Sequence, residues 1–447
     1  MNSRFLTPIG IAAVCLSVPL ILGGAGRQGR RSAAQAKVFY VSVDGDDANP
    51  GTSEKPFRTV QKGADTCGPG ETLRIRGGTY AERVLLRRSG SYFGRDITIT
   101  ADSTELVVLA PTAGGTGNAI FDTGGQDHLI VRGIRVKNSP QCGISITGSW
   151  RVRLENCGSS QTGASGIIVD KSHGVVVDGC EVDHACQTGG EESVSVKRSA
   201  DVTVQNCHVH DTGHEGIDVK EGAKHVRVLN NHVHHTQAQG LYADAWDSDT
   251  FDIRFEGNRV HDCMAGACAS TESGGFLRDV WFVNNLIYDC RGPGMILTKW
   301  GDPKQTHRME NIYFLNNTVV NNGHGSDHPT WGGGMLMEND QAANVVVANN
   351  LLSGNPDGQV RITMSLPPKS FTVRNNLLDG VTESLGKDNV VAPARFVDAA
   401  KKDFRPHPQS KAIDAGVRRA DLGTLDIAGK PRVQNNTVDI GAYESPK

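Results

Sequence analysis

Two short stretches carry the residue types best suited to chemistry: GGEESVSVKRS, residues 189–199, and HEGIDVKEG, residues 214–222. Each has an apolar core, V-S-V or I-D-V, with a glutamate before it and a lysine after it. Aligned on those cores, Glu192 matches Glu215 and Lys197 matches Lys220. Charges kept in register in this way point to two stacked copies of one structural unit. Taking Val194, Ile217, Leu241, Met295 and Met335 as equivalent inward positions extends the register. Ser195, Asp218 and Tyr242 then share one outward column, and Asp244 and Ser270 join Lys197 and Lys220 in another. Trp246, Glu272 and Trp300 follow two positions later.

Glu192, Glu215 and Asp218 offer the hard oxygen ligands that Ca²⁺ takes. Lys220 is the candidate base, its neutral form favoured by Lys197, Arg198 and a bound cation. Tyr242 is a candidate proton donor, with Lys197 as a third catalytic group. Trp246 and Trp300 offer flat faces for stacking, and Arg198 and Asp244 offer polar contacts to a bound molecule. A plainer reading competes: outward Lys, Glu and Asp columns on a sheet also arise as cross-strand ion pairs with no chemistry attached.

The elements that must position these groups are legible as an internal repeat. An apolar-x-Asn-Asn-x-apolar phrase recurs as VLNNHV, FVNNLI, FLNNTV, VANNLL and VRNNLL. VRGIRV, LENCGS, VDGCEV, VQNCHV and FEGNRV stand in the same register. A second phrase lies between successive anchors, among them CGISIT, SGIIVD, QGLYADA, PGMILTK and GGGMLME. Short strands with Gly and Asn at the corners, and no segment with the length and period of a substantial helix, predict an all-β fold. The expectation is a right-handed parallel β-helix solenoid of about ten rungs, stacked ~4.8 Å apart. Its domains would be a leader over 1–36, an N-terminal cap and lead-in strands over 37–96, repeats over 97–390 and a C-terminal cap over 391–447.

Columns follow from that stacking. Asn231, Asn258, Asn285, Asn317, Asn350 and Asn376 predict a ladder of side-chain amides at a tight corner. Cys157, Cys180 and Cys207 continue the column as small buried groups, and Cys263 and Cys290 stand in register for a rung-to-rung disulfide. His210, His234 and His261 form another column beside Asp211, His235 and Asp262, read as a stacked polar ladder with a metal site as the alternative. DGDD near residue 45 reads as a solvated turn, calcium being its alternative. Pro56–Thr66 predicts a short helix. Long inserted turns hold His307, His324, His328 and Trp331 and could wall one end of a groove.

Composition narrows the class. A chain of 447 residues with 53 glycines and only 6% aromatics suits a turn-rich elongated repeat. A net charge of −3 gives no reason to expect a nucleic-acid partner. Arg4, then the apolar run Ile9–Leu22, then Ala34-Gln35-Ala36 reads as a secretory leader, so the chain is expected to be secreted or periplasmic, without a membrane span after cleavage.

FYVSVDGDDANPGTSEKPFRTVQ with GPGETLRIRGGTY resembles the opening segment of secreted bacterial right-handed parallel β-helix proteins, and AIDAG, DIAGKPR and VDIGAYE resemble their tail. That group includes pectate, alginate and chondroitin lyases, glycosidases, epimerases and adhesins. Glu215 to Lys220 resembles a motif of calcium-dependent lyases acting on alginate and dermatan, which implies Glu215 as a calcium ligand and Lys220 as the base. GGEESV is similar to an acidic stretch of their preceding rungs. Two features depart: Gly213 stands where the motif has a further glutamate, and no arginine lies where its proton donor is expected. HEGID also resembles the aspartate-rich calcium motif of another pectate lyase family, with Glu215 and Asp218 as the acids. The resemblance implies a monomeric, calcium-assisted lyase acting on an acidic polysaccharide. A C5-epimerase, a glycosidase using Asp218 and Asp244, and a non-catalytic glycan-binding solenoid are the alternatives.

Overall fold

The computed structural model describes residues 36–102, 105–111, 117–325, 331–363, 371–380, 386–434 and 436–445. The expected leader, apart from Ala36, and His328 lie outside the described residues.

Strands of alternating pattern bury one face, and here they bury it against other turns of the same coil. Among the described residues, three parallel sheets of 13, 11 and 13 strands form the coil, and neighbours within a sheet lie one turn apart in sequence. The solenoid starts at Val38–Val41, which pairs in register with Thr72–Ile75 and through it with Ile97–Ala101. The fold is the parallel β-helix that the repeat predicts. One inward column of the first sheet runs Leu73, Ile99, Val131, Leu154, Val177, Val204, Val228 and then Phe255, Phe282 and Phe314. The three phenyl rings stack at 4.9 and 5.2 Å. Full burial of each such side chain contributes about 1.5–3 kcal/mol.

At one corner the Asn-Asn pairs divide two tasks. The first asparagine takes the left-handed turn, with φ near +55° at Asn230, Asn284, Asn316, Asn349 and Asn375. The second is buried and builds the ladder. Asn317 Nδ2 donates to Phe282 O and to Asn350 Oδ1, while its Oδ1 accepts from both the backbone N–H and the side chain of Asn285. Cys157, Cys180 and Cys207 continue the column, their thiols donating to Val131 O, Leu154 O and Val177 O. Cys263 and Cys290 are free thiols, so the rung-to-rung disulfide is absent.

The helix α1 (Val60–Thr66) caps the start of the coil. Asp47 accepts from the backbone N–H of Arg58 and Thr59 at 2.9 Å, and Glu82 accepts from Val60 and Gln61. Of the DGDD acids, Asp46 accepts from the Ala48 N–H within its own turn and Asp47 holds the residues that lead into the helix. The C-terminal segment folds back onto earlier turns. It runs back along the Asn corner, where Asn284 donates to Leu422 O, Asn316 to Asp439 O and Asn349 to Val417 O. A buried Arg432–Glu444 ion pair at 3.0 Å fastens the tail to itself. Among the described residues, no helix is long and apolar enough to cross a membrane.

The strands that carry the candidate site belong to the 11-stranded sheet. They are β1 (Ile167–Asp170), β2 (Val194–Lys197), β3 (Ile217–Lys220), β4 (Gln239–Asp244), β5 (Ala265–Ser270) and β6 (Met295–Leu297).

Candidate functional site

Strand alternation sends Val194, Val196, Ile217 and Val219 into the core and leaves Ser195, Lys197, Asp218 and Lys220 on the other face. Val194 pairs with Ile217 and Lys197 with Lys220. Asp218 pairs with Tyr242, and Asp244 with Ser270, as the repeat register predicts. These outward groups are nonetheless shielded: Asp218 and Asp244 are each 1% exposed and Tyr242 is 4% exposed.

They meet in a cleft of about 330 Å³. Its walls carry Glu191, Glu192, Glu215, Asp218, Glu221, Asp244 and Glu272, with Lys197, Lys220, His214, Tyr242 and Trp246. Seven carboxylates against two lysines in a partly dehydrated space is an electrostatic imbalance that protons or a cation must relieve. Lys220 Nζ lies 2.5 Å from Glu192 Oε1, 3.9 Å from Asp218 Oδ2 and 3.8 Å from Glu221 Oε1. Ser195 Oγ donates to the other oxygen of Glu192 at 2.8 Å. Lys197 Nζ approaches Glu191 at 3.6 Å, His214 contacts Glu215, and Tyr242 OH donates to Glu272 Oε1 at 2.7 Å.

Titration follows from these contacts. Burial, then the charge of Glu192, pushes Asp218 well above the carboxylate range despite Lys220. Burial and then Glu272 do the same to Asp244. Burial and then the charge of Asp244 push the Tyr242 phenol well above its ordinary value, so it keeps its proton. For Lys220, burial pulls the ammonium down, but the charges of Asp218 and Glu192 outweigh it and leave the pKa above the usual lysine value. This is opposite in direction to the lowering suggested by Lys197 and Arg198. Asp218, Glu192 and Glu221 all lie within 4 Å of its ammonium.

Eight of the ten residues singled out from sequence line the cleft; Arg198 and Trp300 do not. Arg198 sits at φ +50°, one residue past β2, and turns to a bidentate bond with Asp170 at 2.8 and 2.9 Å. Glu221 engages its remaining nitrogen at 3.2 Å. Trp300 packs edge-on to Tyr242 at 5.7 Å and supports that ring from behind. Trp246, 43% exposed, stands at the cleft as an open apolar face. His307 is buried with its ring nitrogens facing Thr271 O and Asp302 O, so it braces a turn. His214, Glu191 and Glu221 were not assigned roles from sequence, although they directly flank Glu215, Glu192 and Lys220; adjacency was the available signal.

The donors a hard cation would meet are present. Asp218 Oδ1 and Asp244 Oδ1 are buried with no hydrogen-bond partner among the described residues. One ligand atom from each of Glu192, Glu215 and His214 lies within 4.8 Å of the others. The oxygen-rich set fits the preference of Ca²⁺, and the orphaned carboxylate oxygens are groups whose desolvation a cation would offset.

Comparisons with known proteins agree with this architecture. The chain is 26% identical over 367 residues to the uncharacterized protein YwoF of Bacillus subtilis (strain 168), covering 71% of this chain and 75% of that one. Pectate lyase Pel9A superposes with a TM-score of 0.59 at 13% identity, covering 92% of this chain and 97% of its own. XylC, solved with xylose, gives 0.61 at 11% identity, covering 91% and 98%. The same scaffold occurs in the A-module of mannuronan C-5 epimerase AlgE6 from Azotobacter vinelandii (TM-score 0.52, 14% identity, 75% and 95% covered). At these identities the structural likeness is one of fold. A family profile described as "Pel9A-like, right handed beta helix region" matches residues 39–182. The profile described as "Right handed beta helix region" matches residues 112–260 and 248–378, and the chain belongs to that family.

Proposed function

We propose that the protein is a polysaccharide lyase that cleaves a uronic-acid-containing glycan by calcium-assisted β-elimination, with Lys220 as the base. The observation that carries the proposal is the cleft in which Lys220 and a protonated Tyr242 share space with an excess of buried carboxylates. Lysine with a side chain 12% exposed stands at the cleft wall, able to take a proton from a bound sugar. In the elimination, the C5–H proton passes to Lys220 Nζ, the C4–C5 double bond forms and the C4–O4 bond breaks. Tyr242 delivers its proton to the departing O4. Glu272 Oε1 accepts the phenol's hydrogen bond at 2.7 Å and orients it. After product leaves, the proton held on Lys220 is released to solvent and Tyr242 takes one back from solvent. Trp246 offers a face on which a sugar ring can stack.

Ca²⁺ bound by Glu192, Glu215 and Asp218 would supply positive charge that neutralises those acids and the uronate. Neutralised acids would no longer hold Lys220 protonated, which reconciles its raised pKa with a base's role. A polymeric substrate of this kind calls for action outside the cytoplasm, consistent with the leader read from residues 1–36.

A second reading has its own observation. Asp218 and Asp244 come from adjacent turns, and both are held above the usual carboxylate range, as a glycosidase's general acid must be. Incubation with alginate, polygalacturonate, chondroitin and dermatan separates the readings. A lyase yields ultraviolet-absorbing unsaturated ends, whereas reducing ends without that absorbance would favour the hydrolase. Binding without either product would leave a non-catalytic solenoid.

A further inference from the structure

A second cluster lies on another sheet and takes no part in the cleft. The strands His208–Thr212, His232–Thr236 and Arg259–His261 are consecutive turns of a 13-stranded sheet. Val209, Val233 and Val260 point into the core, so the alternate residues share the outer face. Register pairs His208 with His232, His210 with His234, and His234 with His261. The result is a grid of imidazoles stacked turn on turn, His234 over His261 at 4.9 Å with planes 6° apart.

The ring nitrogens converge instead of facing solvent. His208 Nε2 and His234 Nε2 are 2.9 Å apart, and His232 Nε2 and His261 Nε2 are 2.8 Å apart. One ring nitrogen from each of His208, His232 and His234 lies within 4.8 Å of the others. His261 Nδ1 is 2.6 Å from Asp262 Oδ2. A carboxylate there takes the Nδ1–H and leaves Nε2 as a lone pair, the arrangement that commonly orients metal-binding histidines. On the strand that carries His208, His210 Nε2 is buried with no hydrogen-bond partner among the described residues, Glu181 Oε1 lying 3.7 Å away.

Zinc–nitrogen bonds of about 2.0–2.1 Å in a tetrahedral site set ligand nitrogens roughly 3.3 Å apart. Opening the paired nitrogens by a few tenths of an ångström reaches that spacing. An all-imidazole donor set favours Zn²⁺ and its transition-metal neighbours over Ca²⁺.

We propose that His208, His232 and His234 bind a zinc-class divalent ion, with His261, held by Asp262, as the fourth ligand. The ion would fasten three consecutive turns of the solenoid. The proposal is independent of the reading of the acidic cleft.

The test uses the full chain, freed of any affinity tag and stripped by chelator, titrated with Zn²⁺ by calorimetry and with Co²⁺ by visible absorption. One ion per chain, with the intense cobalt band of a four-coordinate site, is expected. His232→Gln with His234→Gln should abolish that band, and Asp262→Asn should weaken zinc about 10- to 100-fold. The Asp262 side chain is 44% exposed, so its replacement leaves the core intact if the histidine pair fails to fold. His225→Gln, on the first sheet beside Asp252, should change nothing. Absence of stoichiometric zinc in the parent chain, or unchanged affinity in Asp262→Asn together with the histidine variants, would overturn the proposal.

Discussion

Replacing Asp218 by asparagine probes the charge balance of the cleft. The carboxylate is 1% exposed, and its Oδ1 has no hydrogen-bond partner among the described residues. Its counter-charge, Lys220 Nζ, is 3.9 Å away and is shared with Glu192 at 2.5 Å. At an effective dielectric of about 20, the Lys220 contact is worth roughly 4 kcal/mol in isolation. Burial and the charges of Glu192, Asp244 and Glu215 nonetheless prevail, because the Asp218 pKa stands well above its ordinary value. Folding therefore favours the protonated form. That contribution is complete below the unfolded pKa of about 3.9 and is lost as pH rises through the folded pKa. An asparagine has no such penalty. Asp218→Asn should leave stability little changed near the unfolded pKa and raise it by about 1–3 kcal/mol in chelator at alkaline pH, a fraction of the several kcal/mol that a poorly compensated buried ion costs. Urea unfolding of both proteins at the two pH values measures the difference. Calcium at a hundred times its dissociation constant should stabilise the parent by about 2.7 kcal/mol, and the variant less, since it lacks one ligand. Loss of stability in the variant at alkaline pH without calcium would refute the reasoning, because it would show Asp218 to be a well-partnered anion.

Other consequences can be checked in turn. Lys220→Ala, if folded, should lower kcat on the preferred polyuronate by about 10²–10⁴-fold in steady-state assays, the usual contribution of a positioned base. Trp246→Ala should raise KM with little change in kcat, since a stacking face contributes binding common to ground and transition states. Asn317→Ala should be strongly destabilising in urea titrations. It removes the side-chain partners of Phe282 O and of the Asn285 N–H, at about 1–3 kcal/mol for each orphaned group.

The coil itself was legible because stacking repeats the same local demand every turn. Asn285 and Asn317 must each satisfy the turn before and the turn after, so the asparagine recurs at a readable spacing. The same logic brought out Glu192 under Glu215 and Lys197 under Lys220. Contacts that break the one-turn rule were not legible. Asn284 and Asn316 serve a tail more than a hundred residues away, which no local period announces. Arg198 appeared to share the lysine column's neighbourhood, but its left-handed corner aims it at Asp170. The protonation of Lys220 depends on its reach back to Glu192 and on burial, and a register of residue types carries neither distance nor dehydration.

The most direct test of the central claim is the appearance of unsaturated uronate ends, followed by ultraviolet absorbance, on a panel of acidic polysaccharides with calcium and with chelator. The account predicts absorbance with at least one polyuronate in calcium, its loss in chelator and its loss in Lys220→Ala. Reducing ends released without absorbance, or full elimination activity in chelator or in the Lys220 variant, would contradict it.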